Sequence, residues 1–215
     1  MFVGHLAAAI AAGRVQPRAP LGVLVGAAFA LDLIWPVLLL AGIEMVRIDP
    51  GNTAFTPLAF DYYPWSHSLS MAVVWAVVVG RVSAAVLRHT RAGLVIGLTV
   101  LSHWVLDCLT HRPDLPLWPG GPNVGLGLWN SIPSTIVVEG TLFAAAVLLY
   151  ARATRAGDAV GKWAFLALVA VATAIWLSGP FSPPPPSATA VAAVALALWL
   201  LPFWAQWIER HRVTR

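Results

Sequence analysis

Charge is scarce in this chain: only 10% of its 215 residues are Asp, Glu, Lys or Arg, against 59% hydrophobic residues. A soluble domain carries about 25% charged residues, so the composition excludes an ordinary water-soluble fold and predicts an integral membrane protein. Lysine is nearly missing, since Arg supplies all the basic residues but Lys162. These Arg residues are scattered over short connections. No basic stripe with interleaved exposed aromatics forms, so no nucleic-acid partner is expected despite a net charge of +4. Cysteine is reduced to Cys108, which excludes an internal disulfide and leaves the redox compartment open. Next to Asp107, it reads as a small polarizable core residue rather than a reactive thiol. The first apolar run, Leu6 to Ala12, has no positive charge before it and Arg residues after it, so it does not read as a signal peptide. No internal repeat is evident, which removes support for an inverted-repeat transporter.

What the chain has in abundance is apolar length. Stretches at about 2–13, 20–43, 68–88, 92–111, 131–151, 162–180 and 187–208 are separated by Arg, Pro and Gly. A hydrocarbon core of about 30 Å needs roughly 20 residues of helix, which the last six supply and the first does not. The expected architecture is an all-α, polytopic transmembrane helix bundle of six long spans plus a short N-terminal helix packed against them. Eleven Trp against three Tyr fit this, because indoles favour the headgroup boundary. Residues 1–151 hold every buried acid and are read as the metal-binding core. Residues 152–215 are read as a two-helix scaffold hairpin, turned at Pro183–Pro186, with a basic tail. Gly22-x-x-x-Gly26 and Gly93-x-x-x-Gly97 permit close helix approach.

The positive-inside rule orients the spans. Basic residues fill the connections at 14–18, 88–91 and 152–162 and the C-terminal tail, which are therefore expected in the cytoplasm. The 44–66 and 112–130 loops then face outward across a cell (inner) membrane.

The run His103-x-x-x-Asp107-x-x-x-His111 carries the chemistry. Four helical residues turn about 400° and rise about 6 Å, which puts all three side chains near one stripe. Ionisable groups at bilayer depth cost roughly 2.5–3.5 kcal/mol each and mark functional interiors. His103 and Asp107 can chelate one ion as i,i+4 ligands. His103 and His111 are separated by about 12 Å of rise, too far for one ion to reach both easily. Either two ions about 3.5–4 Å apart share Asp107, or one ion is bound and His111 is not among its ligands. His5, Asp32, His67 and Glu139 map to the same outer half of the bilayer, which adds candidates from four other segments. His89 and His211 fall among Arg residues and read as solvated.

Gly4-His5, Asp32, Ser66-His67-Ser68 and Ser102-His103-x-x-x-Asp107-x-x-x-His111, in that order, resemble the YdjM-like membrane-bound metal-dependent hydrolases over roughly residues 1–150. The resemblance implies a hydrolase with bound metal, and the ligand order is similar to that of zinc-dependent phospholipase C. It implies His5, Asp32, His67, His103 and Asp107 as ligands, with Asp107 bridging and His111 at or beside a second ion. The chain departs from the commoner pattern at Ala30 and Ile34, where a second acid often flanks the first. It also lacks a basic residue before His67. Zn²⁺ suits imidazole and carboxylate ligands, as one or two ions. The expected activity is hydrolysis of a phosphoester or lipid-like ester at the outer membrane face. Glu139 is the expected general acid/base, with His111 also catalytic, and Arg112 is the candidate for orienting an anionic substrate. A transporter or metal-binding channel using the same His/Asp cluster is the competing expectation, and a partner-binding membrane protein with an inactive site is a third.

Overall fold

The apolar runs fold into helices in the expected order, as described over all 215 residues by the computed structural model. α1 (Val3–Val15) is followed by α2 (Leu21–Ala28) and α3 (Ala30–Leu40). A hairpin of β1 (Met45–Ile48) and β2 (Leu58–Tyr62) leads to the one-turn α4 (Pro64–His67) and then to α5 (Leu69–Leu87) and α6 (Thr90–Thr110). A short ribbon, β3 (Leu115–Pro116) with β4 (Asn123–Val124), precedes α7 (Ile132–Ala153). The chain ends with β5 (Thr154–Ala156), α8 (Ala159–Ser178), α9 (Ala188–Ala195), α10 (Leu200–Arg210) and β6 (Arg212–Thr214). The strands make three separate two-stranded pairs at helix ends and no larger sheet, so the protein is an all-α helix bundle.

Five helical segments are long and apolar enough to cross a membrane, and the bent pair α2/α3 makes a sixth. Their starts are capped by short polar side chains: Ser68, Ser131, Asp158 and Ser187 each accept an N–H of the following first turn. His89, expected to be solvated, does the same for α6 by accepting the Ala92 N–H on Nδ1. The outward faces carry exposed Val73, Val77, Val82, Leu94 and Leu98, as a bilayer-facing surface requires.

The expected 20–43 span is not straight. It breaks at Phe29, where α2 and α3 meet at 53°. At this break the Ala28 carbonyl receives no amide from Asp32 and instead accepts His103 Nδ1 at 2.7 Å. Pro36, inside α3, has no N–H to offer the Asp32 carbonyl, which further loosens this turn. A second irregularity, the 3-10 turn Leu196–Trp199 joining α9 to α10, lies just before Pro202 and has the same cause.

α1 is buried along much of its length, packing on α7, α2 and α6. Its 13 residues span only about 20 Å. They suffice because the helix begins level with the buried His residues rather than at the bundle's end. One apolar cluster runs through Val3, Leu24, Ile96, Phe143, Leu168 and Ile208. The C-terminal hairpin, residues 152–215, thus packs into the same apolar cluster as residues 1–151. α10 lies along α2, and α9 along α3.

Both glycine pairs sit at helix crossings. A Cβ on Gly22 would lie 2.6 Å from the Pro202 carbonyl oxygen, and one on Gly93 would lie 2.5 Å from that of Gly80. Gly93→Leu should therefore force α5 from α6, costing about 1–3 kcal/mol of overpacking, read as a lowered melting temperature in detergent. Substitution to Leu at Gly179, which has nothing within 4 Å, should leave melting unchanged.

The two ends of the bundle differ in chemistry. One end gathers the 44–66 and 112–130 loops, and the 179–184 turn lies against residues 50–57 of the first of these. The other gathers Arg14, Tyr150, Thr154, Glu209 and Arg212 around a small cleft. Here Glu209 accepts the Leu21 N–H with both carboxylate oxygens, at 3.1 and 3.0 Å, capping the otherwise uncapped α2. His211, also expected to be solvated, donates from Nδ1 to Asp158 at 2.6 Å.

Candidate metal site

Five side chains from four helices converge where α1, α3, α4 and α6 meet, and a fifth helix, α2, adds a backbone carbonyl. Asp107, on α6 and 2% exposed, is the hub. Its Oδ1 lies 3.1 Å from His5 Nε2 on α1 and 2.6 Å from the Met1 amine. Its Oδ2 lies 3.0 Å from His103 Nε2, one turn back on α6, and 3.9 Å from His67 Nε2 at the end of α4. Asp32, in the first turn of α3, brings Oδ1 to 3.5 Å from His67 Nε2 and 3.8 Å from His103 Nε2. The fifth helix is α2, whose last carbonyl at Ala28 holds His103. The rings of His5 and His103 stack at 3.7 Å, nearly parallel.

Two ligand groups follow from these distances: His5, His103 and Asp107, and Asp32, His67 and His103. Donor atoms bound to one Zn²⁺-sized ion at 2.0–2.2 Å and tetrahedral angles are separated by about 3.4 Å, so the observed spacings fit a common ion. This buried His/Asp group could hold a metal ion. His103 belongs to both groups, which allows one ion or two.

Proton placement makes the fit specific. His103 Nδ1 donates to the Ala28 carbonyl, so the neutral ring carries no proton on Nε2. That nitrogen, bare when the ring is neutral, is fully buried, has no hydrogen-bond partner, and faces two carboxylates. Lone pairs aimed at carboxylate oxygens in a dry interior repel unless a proton or cation lies between them. A histidine whose far nitrogen is tied to a backbone carbonyl is also the usual arrangement around metal ligands. His5 Nδ1 is likewise buried and unpartnered. Only Asp32 is open, at 26% side-chain exposure, and it marks the way in.

The structure brings together His5, Asp32, His67, His103 and Asp107, but not His111. α6 ends at Thr110, and His111 adopts an extended conformation (φ −63°, ψ 145°) that turns it off the stripe. The expectation that three residues share one helix face is corrected to two. His111 Nδ1 instead donates to Asp114 at 2.9 Å, and the ring packs between Trp129 and Phe60. Tyr63 Oη donates to the same carboxylate oxygen at 3.4 Å. Burial, followed by the Asp114 charge, holds that phenol well above its ordinary value, so it remains a donor. Arg112 Nε reaches the other Asp114 oxygen at 3.3 Å with much of its side chain exposed.

Glu139 is fully buried on α7, and its Oε2 accepts the Phe2 N–H at 3.2 Å. It thereby caps α1, which has no cap of its own and whose positive end attracts a carboxylate. Oε1 has no partner. Glu44 was not singled out from the sequence. It is 2% exposed and binds Ser66, next to His67. An acid isolated between Ile43 and Met45, just past an apolar span, was the available signal. Comparison with protein-family models, with curated proteins and with solved structures found no match.

Proposed function

We propose that this chain is a membrane-embedded, metal-dependent hydrolase of a phosphoester or lipid-like ester, of the kind the YdjM-like resemblance implies. The observation that carries the reading is the buried His103 Nε2, left without a hydrogen-bond partner and facing Asp107 and Asp32. Zn²⁺ suits this nitrogen-and-carboxylate set best. When bound, the cation would polarise a phosphoryl oxygen and make water acidic enough to ionise near neutral pH.

The chain's own residues supply the rest. His5, His67, His103, Asp32 and Asp107 hold the charge in place, and partly open Asp32 faces the substrate's approach. Asp114 fixes His111 with its proton on Nδ1, leaving Nε2 to exchange a proton with a leaving group. Arg112, half-exposed beside it, suits a phosphate oxygen. Basic residues crowd the end of the bundle away from the cluster, so the positive-inside rule puts the cluster end outside and the C-terminus in the cytoplasm of a cell membrane. A transport path is less well supported, because beyond the cluster Thr99 is the buried polar side chain of α6 and it bonds its own helix at Val95.

Purified protein in detergent, loaded with Zn²⁺, should hydrolyse a generic phosphodiester and stop when a chelator is added. Turnover unaffected by chelator rejects the metal dependence, and none across several divalent metals and both phosphoester and carboxyester probes rejects the hydrolase. Glu139→Gln separates the two roles of Glu139. The amide oxygen can still accept the Phe2 N–H, so a capping residue leaves turnover near wild type. A general acid/base loses the roughly 10²–10⁴-fold such groups contribute.

A further inference from the structure

Glu44 takes no part in the chemistry above, yet both its oxygens are engaged. Oε1 accepts the backbone N–H groups of Trp65 and Ser66, each at 2.8 Å. Oε2 accepts the Ser66 hydroxyl at 2.6 Å. That hydroxyl oxygen lies 2.7 Å from His67 Nδ1. An ionised carboxylate can only accept, so the Ser66 proton points at Glu44 and the Ser66 oxygen is left to accept Nδ1–H. His67 is thereby held as the tautomer with a bare Nε2, the atom that approaches Asp32 and Asp107.

We propose that Glu44 is a positioning residue for the metal site: acting through Ser66, it sets the hydrogen-bond direction that leaves His67 Nε2 free to bind a divalent cation. The inference rests on the metal-binding part of the reading above. The three residues are buried together, with Glu44, Ser66 and His67 at 2%, 0% and 5% exposure, so water does not compete for these bonds. The two backbone donors also seat the single turn of α4, whose last residue is the histidine itself.

Glu44→Gln reverses the chain of bonds without changing its shape. The amide oxygen must face the N–H groups of Trp65 and Ser66, which directs the new NH₂ at the Ser66 oxygen. The hydroxyl proton then turns to His67 Nδ1, because its other acceptor, the Tyr63 carbonyl, is 3.4 Å away, long for an O–H donor. Nδ1 becomes an acceptor, the ring proton moves to Nε2, and that nitrogen no longer has a lone pair for a cation.

The test uses full-length protein in detergent, with Zn²⁺ as the probe and a competing chelator to report affinity. Glu44→Gln should weaken Zn²⁺ binding by about 10–100-fold, as losses in hydrogen-bonded support of metal ligands do. Its metal-free melting temperature should stay close to wild type. Nitrogen NMR of metal-free protein should show His67 changing from the Nδ1–H to the Nε2–H tautomer. Zn²⁺ affinity within twofold of wild type, or an unchanged tautomer, overturns the proposal. Should Glu44→Gln fail to fold, Ser66→Ala cuts the same relay while leaving both backbone contacts of Glu44, and unchanged affinity there also overturns it. If wild-type protein binds no Zn²⁺ while the tautomer still switches, the metal reading fails and the relay stands.

Discussion

Asp107→Ala should empty the site. Wild-type protein purified without chelator is expected to carry one or two equivalents of a divalent metal by elemental analysis, and the variant none. Asp107 meets His5, His103, His67 and the Met1 amine, so its removal takes a ligand from the His5–His103–Asp107 group and leaves Asp32 as the one carboxylate facing the imidazoles. The loss should exceed the ~100-fold upper range seen when only a ligand's hydrogen-bond partner is removed. His103→Ala should match it, since His103 belongs to both ligand groups. His111→Ala should keep its full metal content, because that residue bonds Asp114 outside the cluster. Metal retained by Asp107→Ala, or lost from His111→Ala, would contradict the assignment.

Arg212→Ala should destabilise the bundle more than any other substitution at its basic end. The guanidinium donates to Thr154 Oγ1 and to the Gly161 carbonyl, both at 2.9 Å, and to the Thr154 carbonyl at 3.3 Å. It also lies over the rings of Phe165 and Tyr150, at 4.7 and 5.3 Å. A charged donor bond contributes about 1.5–3 kcal/mol, and a desolvated cation–ring contact up to about 2, so a loss on the order of 3 kcal/mol is expected. Arg212→Lys should recover only a fraction, because a single ammonium cannot span the three acceptors. A melting temperature within a degree of wild type in Arg212→Ala would show that β6 merely rests against α8. Metal content should be unaffected, since the anchor lies at the opposite end from Asp107.

The spans and five of the cluster residues were legible because a bilayer permits few ionisable side chains, and each stands out against an apolar run. His103 and Asp107 were additionally tied by helical spacing, which α6 obeys as far as Thr110. His111 was misplaced by extending that spacing one residue too far. Pro113, two residues on, was a signal that the helix had to stop. The break at Phe29 had only a distant marker, Pro36, seven residues on in a run that is apolar but for Asp32. It arises from packing, where His103 claims a backbone carbonyl. Glu44 escaped notice for a related reason. It lies in a connection, where acids are ordinary, and only the folded hairpin buries it against Ser66. The partners of Glu139 and His211 likewise come from residues 137 and 53 positions away, beyond the reach of local patterns.

The angle between α2 and α3 would also tie a bound cation to the surrounding lipid. Straightening that span would return the Ala28 carbonyl to the Asp32 amide and leave His103 without its acceptor. If the site holds an ion, its occupancy and the bend of the span would be reciprocal, each stabilising the other by the same free energy. A thicker hydrocarbon layer, which favours longer, straighter spans, would then loosen the ion's grip without touching a ligand.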